Sequence, residues 1–238
     1  MATFVLIPGA GGSGWYFHRL VPILIERGHR AIAVDLPAAD PTAGIIEYAD
    51  TVLTAIGSHR DDSGGDDADL VVLGQSLDGF TAPLVCAKVP ATMLVLLNAM
   101  VPRPGETAGD WWGNTGSAKA RVEKAEQDGR DPEFDPVRDF FHDVPADITE
   151  EAMTAGEPAQ SDGPFGAPWP LAAWPDVPTR FIQGRDDRLF PLEFQRRVVA
   201  ERLAGIVETI DELPGGHLLA LSRPVELADQ LERYLRAN

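Results

Sequence analysis

The sequence predicts an α/β fold with a mainly parallel sheet of about six strands, and three observations carry that reading. Short runs rich in Val, Ile and Leu recur along the 238 residues, and most lack polar alternation, which suits strands buried on both faces. Segments of helical pattern lie between them, as in a parallel sheet with helical crossovers. A long stretch, 100–177, breaks the alternation yet is rich in aromatic residues. So long a segment is not a structureless loop inside a compact domain.

The strands are read at 3–8 ("TFVLIP"), 30–37, 69–75, 92–99, 178–184 and 206–213. After the first strand, residues 15–28 read as a helix with Gly28 as its C-cap. Further helices fall at 44–58 and 77–88, and "DDSGGDDAD" (61–69) reads as an acidic, solvated loop. Residues 100–177 read as a mostly helical cap, leaving 1–99 and 178–238 as the core domain. Pro191 opens a helix running to about Leu203, since proline suits the first turn. The final helix places Leu227, Ala228, Leu231, Tyr234 and Leu235 on one face. The chain contains no internal repeat.

Composition narrows the function. The formal net charge of −17 would repel phosphates, so neither nucleic acid nor an anionic membrane surface is an expected partner. Cys86 is the sole cysteine, which excludes an intrachain disulfide, and its apolar surroundings suit an inert core thiol. "MATFVLIPG" has no basic n-region, and no segment reaches the roughly 20 apolar residues of a membrane span. A cytoplasmic location is the resulting expectation. No pair of the five histidines has metal-ligand spacing, so no metal is implied.

"LIPGAGGSGW" (6–15) supports two readings. Gly9, Gly11 and Gly14 fit G-x-G-x-x-G, and Asp35 lies where a dinucleotide fold places its ribose ligand. The same stretch could instead offer a backbone N–H to a developing oxyanion. The rest of the chain decides between them. "VVLGQSLDGF" (71–80) sets Ser76 at a tight strand-to-helix turn, the arrangement of a nucleophile elbow. A serine hydroxyl needs a base, and the base needs an orienting acid, in the chain order Ser, Asp or Glu, His. Asp187 in "GRDDRLFP" and His217 in "LPGGHLLALSRP" follow in that order, each just past a strand. Asp186 is read as a solvent-facing neighbour of Asp187.

These four segments resemble the α/β-hydrolase superfamily, in particular the branch of plant methyl-ester esterases, hydroxynitrile lyases and their bacterial relatives. The resemblance covers nearly the whole chain and implies the α/β-hydrolase fold. It implies Ser76 as nucleophile, His217 as base, Asp187 as acid, and the Ala10 and Leu77 amides as the oxyanion hole. It also implies hydrolysis of a small carboxylic ester, with no cofactor. Three departures stand out. Asp78 occupies the final glycine position of G-x-S-x-G, where it would crowd the turn and oppose a nearby oxyanion. Gly9 and Leu218 stand where plant hydroxynitrile lyases carry a threonine and a lysine.

Of the eight cap aromatics, two or three are expected to face the substrate, with Trp111, Trp112 and Phe140 as candidates. His18 and His142 are further candidates for lining the cavity. The alternatives are a same-fold lyase or acyltransferase, a weakened ligand-binding relative, and, more remotely, a dinucleotide-dependent oxidoreductase. A homodimer is left open.

Overall fold

The computed structural model describes residues 1–62, 69–156 and 158–237. Six strands form one parallel sheet: β1 (Ala2–Ile7), β2 (Arg30–Ala33), β3 (Asp69–Gln75), β4 (Met93–Leu97), β5 (Thr179–Gly184) and β6 (Ile210–Leu213), in the order β2-β1-β3-β4-β5-β6. The strand runs are apolar throughout because both faces are covered. Val5, Val72 and Leu94 point into one core, and Phe4, Val71 and Val95 into the other. Helices α1 (Leu20–Glu26), α10 (Leu219–Ser222) and α11 (Pro224–Ala237) lie on the second face. Helices α2 (Ile45–Asp62), α3 (Ala82–Cys86) and α9 (Leu192–Arg202) cover the first. Along α11, Leu227, Ala228, Leu231 and Tyr234 are buried and Leu235 packs beside them, as its periodicity predicts.

Four elements differ from the sequence reading. Residues 15–28 are a 3₁₀ turn, Gly14–Phe17, followed by the shorter α1. The Ser13 hydroxyl caps the Trp15 amide, and Pro22 has no N–H to donate, so it suits only the first turn of α1. Residues 77–88 likewise divide into a 3₁₀ turn, Ser76–Gly79, and α3. The edge strands β2 and β6 are short, each lacking a neighbour on one side. Of the acidic stretch 61–69, positions 63–68 lie outside the described residues.

Between β4 and β5 the chain forms α4 (Ala108–Thr115), α5 (Ser117–Gln127), α6 (Pro136–Phe140), α7 (Ala146–Ala155) and α8 (Gly163–Gly166). Thr107 and Asp135 cap α4 and α6 by accepting from the Asp110 and Arg138 amides. Trp111 and Trp169 are fully buried in the core shared with the sheet. Cys86 is buried too, and burial pushes its thiol pKa up to about 12. Among the described residues, no helix is long and apolar enough to cross a membrane.

Candidate active site

Sheet topology assembles the site. β1 and β3 are neighbours although consecutive in neither direction, so the loop after β1 lies beside the turn after β3. That is the switch point where open α/β sheets form their ligand crevice. The loops after β5 and β6 reach the same edge, carrying Asp187 and His217. Ser76 adopts a left-handed φ of +52°, a strained conformation for a residue with a side chain. The close packing behind it falls on Gly79, where a Cβ would collide with the Met100 carbonyl oxygen. Position 78 is therefore not the tight one, and an aspartate fits there despite the family pattern.

The three predicted residues form one hydrogen-bonded line. His217 Nε2 lies 3.0 Å from Ser76 Oγ, and Nδ1 lies 2.8 Å from Asp187 Oδ2. Asp187 is fixed in turn. Its Oδ1 accepts from the Leu189 and Phe190 amides at 2.8 and 3.0 Å, and its Oδ2 accepts from Gln183 Nε2 at 3.1 Å. Phe140 lies at a tilt over the His217 ring, and Phe190 meets it edge-on.

Several supporting residues carry no sequence signal. Asn98, at the end of β4, donates to the His217 carbonyl at 2.7 Å and accepts from the Gly184 amide at 2.7 Å. It thereby ties the histidine loop to β5. Asp143 accepts from the Gly216 amide, and Asp186, exposed as expected, also accepts from that of Gly215. Gln160 accepts from the Gly11 amide at 2.8 Å, holding the loop that carries Ala10.

Asp78 is wholly buried, and neither of its oxygens has a hydrogen-bond partner. Burial pushes its pKa up to about 8. The carboxyl is therefore mostly neutral at pH 7. It lines neither the hollow at Ser76 nor the two chambers beside it.

That hollow, about 80 Å³, is walled by Gly9, Ala10, Tyr16, Phe140, His217 and Leu218. A chamber of about 480 Å³ adjoins it, among Tyr16, Phe134, Phe140, Phe141, Met153 and Pro158. A second chamber, about 360 Å³, holds Ser76 and Leu77 against Met100, Trp112, Arg121 and Leu189. Ala10 borders all three spaces.

The candidate lining residues divide. Phe140 and Trp112 are at the walls. Trp111 is not: it is fully buried, donates Nε1–H to the Val101 carbonyl, and packs on Phe190 and Phe194. His18 is not at the walls either; its ring stacks on Trp15, with Nδ1 2.8 Å from that residue's carbonyl. His142 lies in a separate charged groove that reaches Asp187 but neither Ser76 nor His217. Its pKa is lowered by burial and by nearby Arg188.

The dinucleotide reading loses its acid, because Asp35 Oδ1 accepts the Gly14 amide at 2.8 Å. No long helix starts at the glycines to receive a pyrophosphate.

Comparison with known proteins agrees with this architecture. A pyrethroid hydrolase of Sphingobium wenxiniae is 26% identical over 257 residues, covering 100% of this chain and 89% of the relative. An alpha-hydroxynitrile lyase of Arabidopsis thaliana is 23% identical, covering 96% of this chain and 95% of that protein. The crystal structure of a pyrethroid hydrolase from Sphingobium faniae superposes with a TM-score of 0.74 at 24% identity, over 99% of this chain and 98% of that one. Residues 4–230 match the alpha/beta hydrolase family, and with the sheet order and the elbow already described, the chain belongs to that family.

Proposed function

We propose that this protein hydrolyses a small carboxylic ester through an acyl-enzyme on Ser76. The enzyme class, carboxylic ester hydrolase, is supported by relatives named as esterases and hydrolases. The observation that carries the mechanism is the line Ser76 Oγ, His217 Nε2, His217 Nδ1, Asp187 Oδ2, with separations of 3.0 and 2.8 Å. His217 takes the serine proton as Oγ attacks the ester carbon, and Asp187 holds the imidazole in the required tautomer. The Ala10 and Leu77 amides receive the oxyanion. His217 then protonates the leaving alcohol, and a water activated by the same ring releases the acid.

The two chambers take different halves of the ester. The leaving oxygen must sit beside His217, which walls the small hollow next to the aromatic chamber. The acyl group then extends the other way, into the chamber bordered by Ser76 and Leu77 but not by His217.

Cyanohydrin cleavage is disfavoured. A Cβ on Gly9 would lie 2.8 Å from the Ser76 Cβ, which leaves no room for a threonine, and Leu218 brings no charge. The neutral form of Asp78 at pH 7 removes the main objection to turnover.

The test uses a fluorophosphonate probe and p-nitrophenyl butyrate. The wild type is labelled and turns over, and Ser76→Ala loses both. A folded wild type that does neither overturns the reading.

A further inference from the structure

The acyl chamber contains polar groups that ester hydrolysis itself does not require. Ser117 opens α5, is 1% exposed, and its hydroxyl has no hydrogen-bond partner. Arg121 lines the chamber one turn later, and its Nη1 is buried and donates no hydrogen bond. The remaining walls, among them Met100, Trp112, Phe165 and Leu189, are apolar.

Arg121 is only loosely paired. Its ion-pair partner is Asp139, 4.0 Å away and 1% exposed. Asp139 is shared with Arg130 at 3.4 Å and Arg138 at 3.8 Å, and it already accepts the Asp135 amide. Arg130 and Arg138 each reach a second carboxylate, Asp128 and Asp131, whereas Arg121 otherwise contacts the Phe134 ring. Three guanidinium groups thus converge on one carboxylate, in a chain whose net charge is −17. The first turn of α5 bears no acidic residue, and its end-on amides and dipole add positive potential at Ser117. A planar guanidinium and a hydroxyl at a helix N-terminus together match a carboxylate.

We propose that the acyl chamber selects half-esters of dicarboxylic acids, with the free carboxylate held by Arg121 and Ser117 while Ser76 attacks the esterified end. This rests on the esterase reading above. The bond from Ser76 Oγ to the acyl carbon forms as the carbon–oxygen bond to the alcohol breaks, and the serine proton passes through His217 to that alcohol. Water then adds to the acyl carbon, releasing the dicarboxylic acid and restoring the Ser76 hydroxyl. The aromatic chamber beyond the hollow suits a benzyl alcohol as leaving group.

The experiment compares monobenzyl esters of succinate, glutarate and adipate with benzyl pentanoate by following benzyl alcohol release at pH 7. The expected wild-type kcat/KM favours the best half-ester by at least about tenfold. Arg121→Met lowers that preference by roughly tenfold to a hundredfold, the worth of a charge-assisted hydrogen bond. Arg121→Lys keeps part of it, and Ser117→Ala lowers it less than Arg121→Met does. A wild type without preference, or a preference unchanged in Arg121→Met, overturns the proposal.

A protein that cleaves no ester and takes no fluorophosphonate label fails the esterase reading instead. Calorimetric titration with glutarate then decides the anion site on its own. Binding by the wild type that is lost in Arg121→Met supports it, and no binding overturns it.

Discussion

Asp78 shows how a single residue can couple the elbow to pH. Its carboxyl faces the interior, with Tyr48 of α2 across from it, and the phenol pKa of Tyr48 is raised chiefly by burial and slightly by this carboxylate. With the folded pKa raised to about 8 from the ordinary carboxylate value of 3.8, the folded chain keeps a proton that the unfolded chain releases. The ionisation of Asp78 therefore adds no cost below about pH 4. Stability falls as the pH rises from there, and the loss is complete above about pH 8. Asp78→Asn does not titrate, so its stability relative to wild type should improve between pH 5 and 8.5 by about 2 kcal/mol or more. Urea unfolding at both values measures this, and an equal difference at the two would refute it. Gly79→Ala should act in the opposite direction at every pH. Its new methyl group meets the Met100 carbonyl, and the backbone must shift at a cost of about 3 kcal/mol.

At the scale of elements, the site depends on how strand ends are tied together. Asn98 terminates β4 with a left-handed φ of +45° and bridges the Gly184 amide of β5 and the His217 carbonyl. Asn98→Ala should leave the chambers intact but loosen the His217 ring. We expect kcat to fall by about tenfold to a hundredfold with KM little changed, because small misplacements of a base cost that much. Steady-state kinetics on p-nitrophenyl butyrate would check it, and an equal rise in KM would point to a binding role instead. Such ties explain what the sequence could and could not disclose. Ser76, Asp187 and His217 were legible because strain, order and strand-end placement leave a local imprint. Asn98 and Gln160 act across long sequence separations, and each looks like any polar residue in a strand or loop. Arg121 was hidden for a related reason, since a lone arginine on a polar helix resembles a solvated charge. The tryptophans could not be sorted by pattern: adjacent on one helix, Trp111 is in the core and Trp112 at the chamber wall.

At the scale of the molecule, the helices between β4 and β5 share the core of the sheet. Trp111 and Trp169 join its main cluster, and Trp169 Nε1 donates to the Phe80 carbonyl just past the elbow. A buried ion pair reinforces the join. Arg202, on α9, donates Nη2–H to Glu106 Oε1 at 3.1 Å and Nη1–H to the Val101 carbonyl at 2.7 Å, and both side chains are nearly inaccessible. Burial alone would raise the Glu106 pKa, but hydrogen bonds from Arg202 and Asn114 bring it below the ordinary carboxylate range. A lowered folded pKa means the stabilisation is present above the unfolded pKa of the group and is lost as the pH falls through the folded one. Glu106→Gln strands the Arg202 charge and should cost about 3 kcal/mol near pH 7, or roughly 10 °C in Tm for a chain of this size. That cost should shrink in acid, where Glu106 of the wild type is itself protonated. Because the segment and the sheet share one core, calorimetry should record a single transition in both proteins, shifted down in the variant. Two transitions, with only the lower one moving, would mean instead that the segment folds and melts on its own, and that the ion pair stabilises it without coupling it to the sheet.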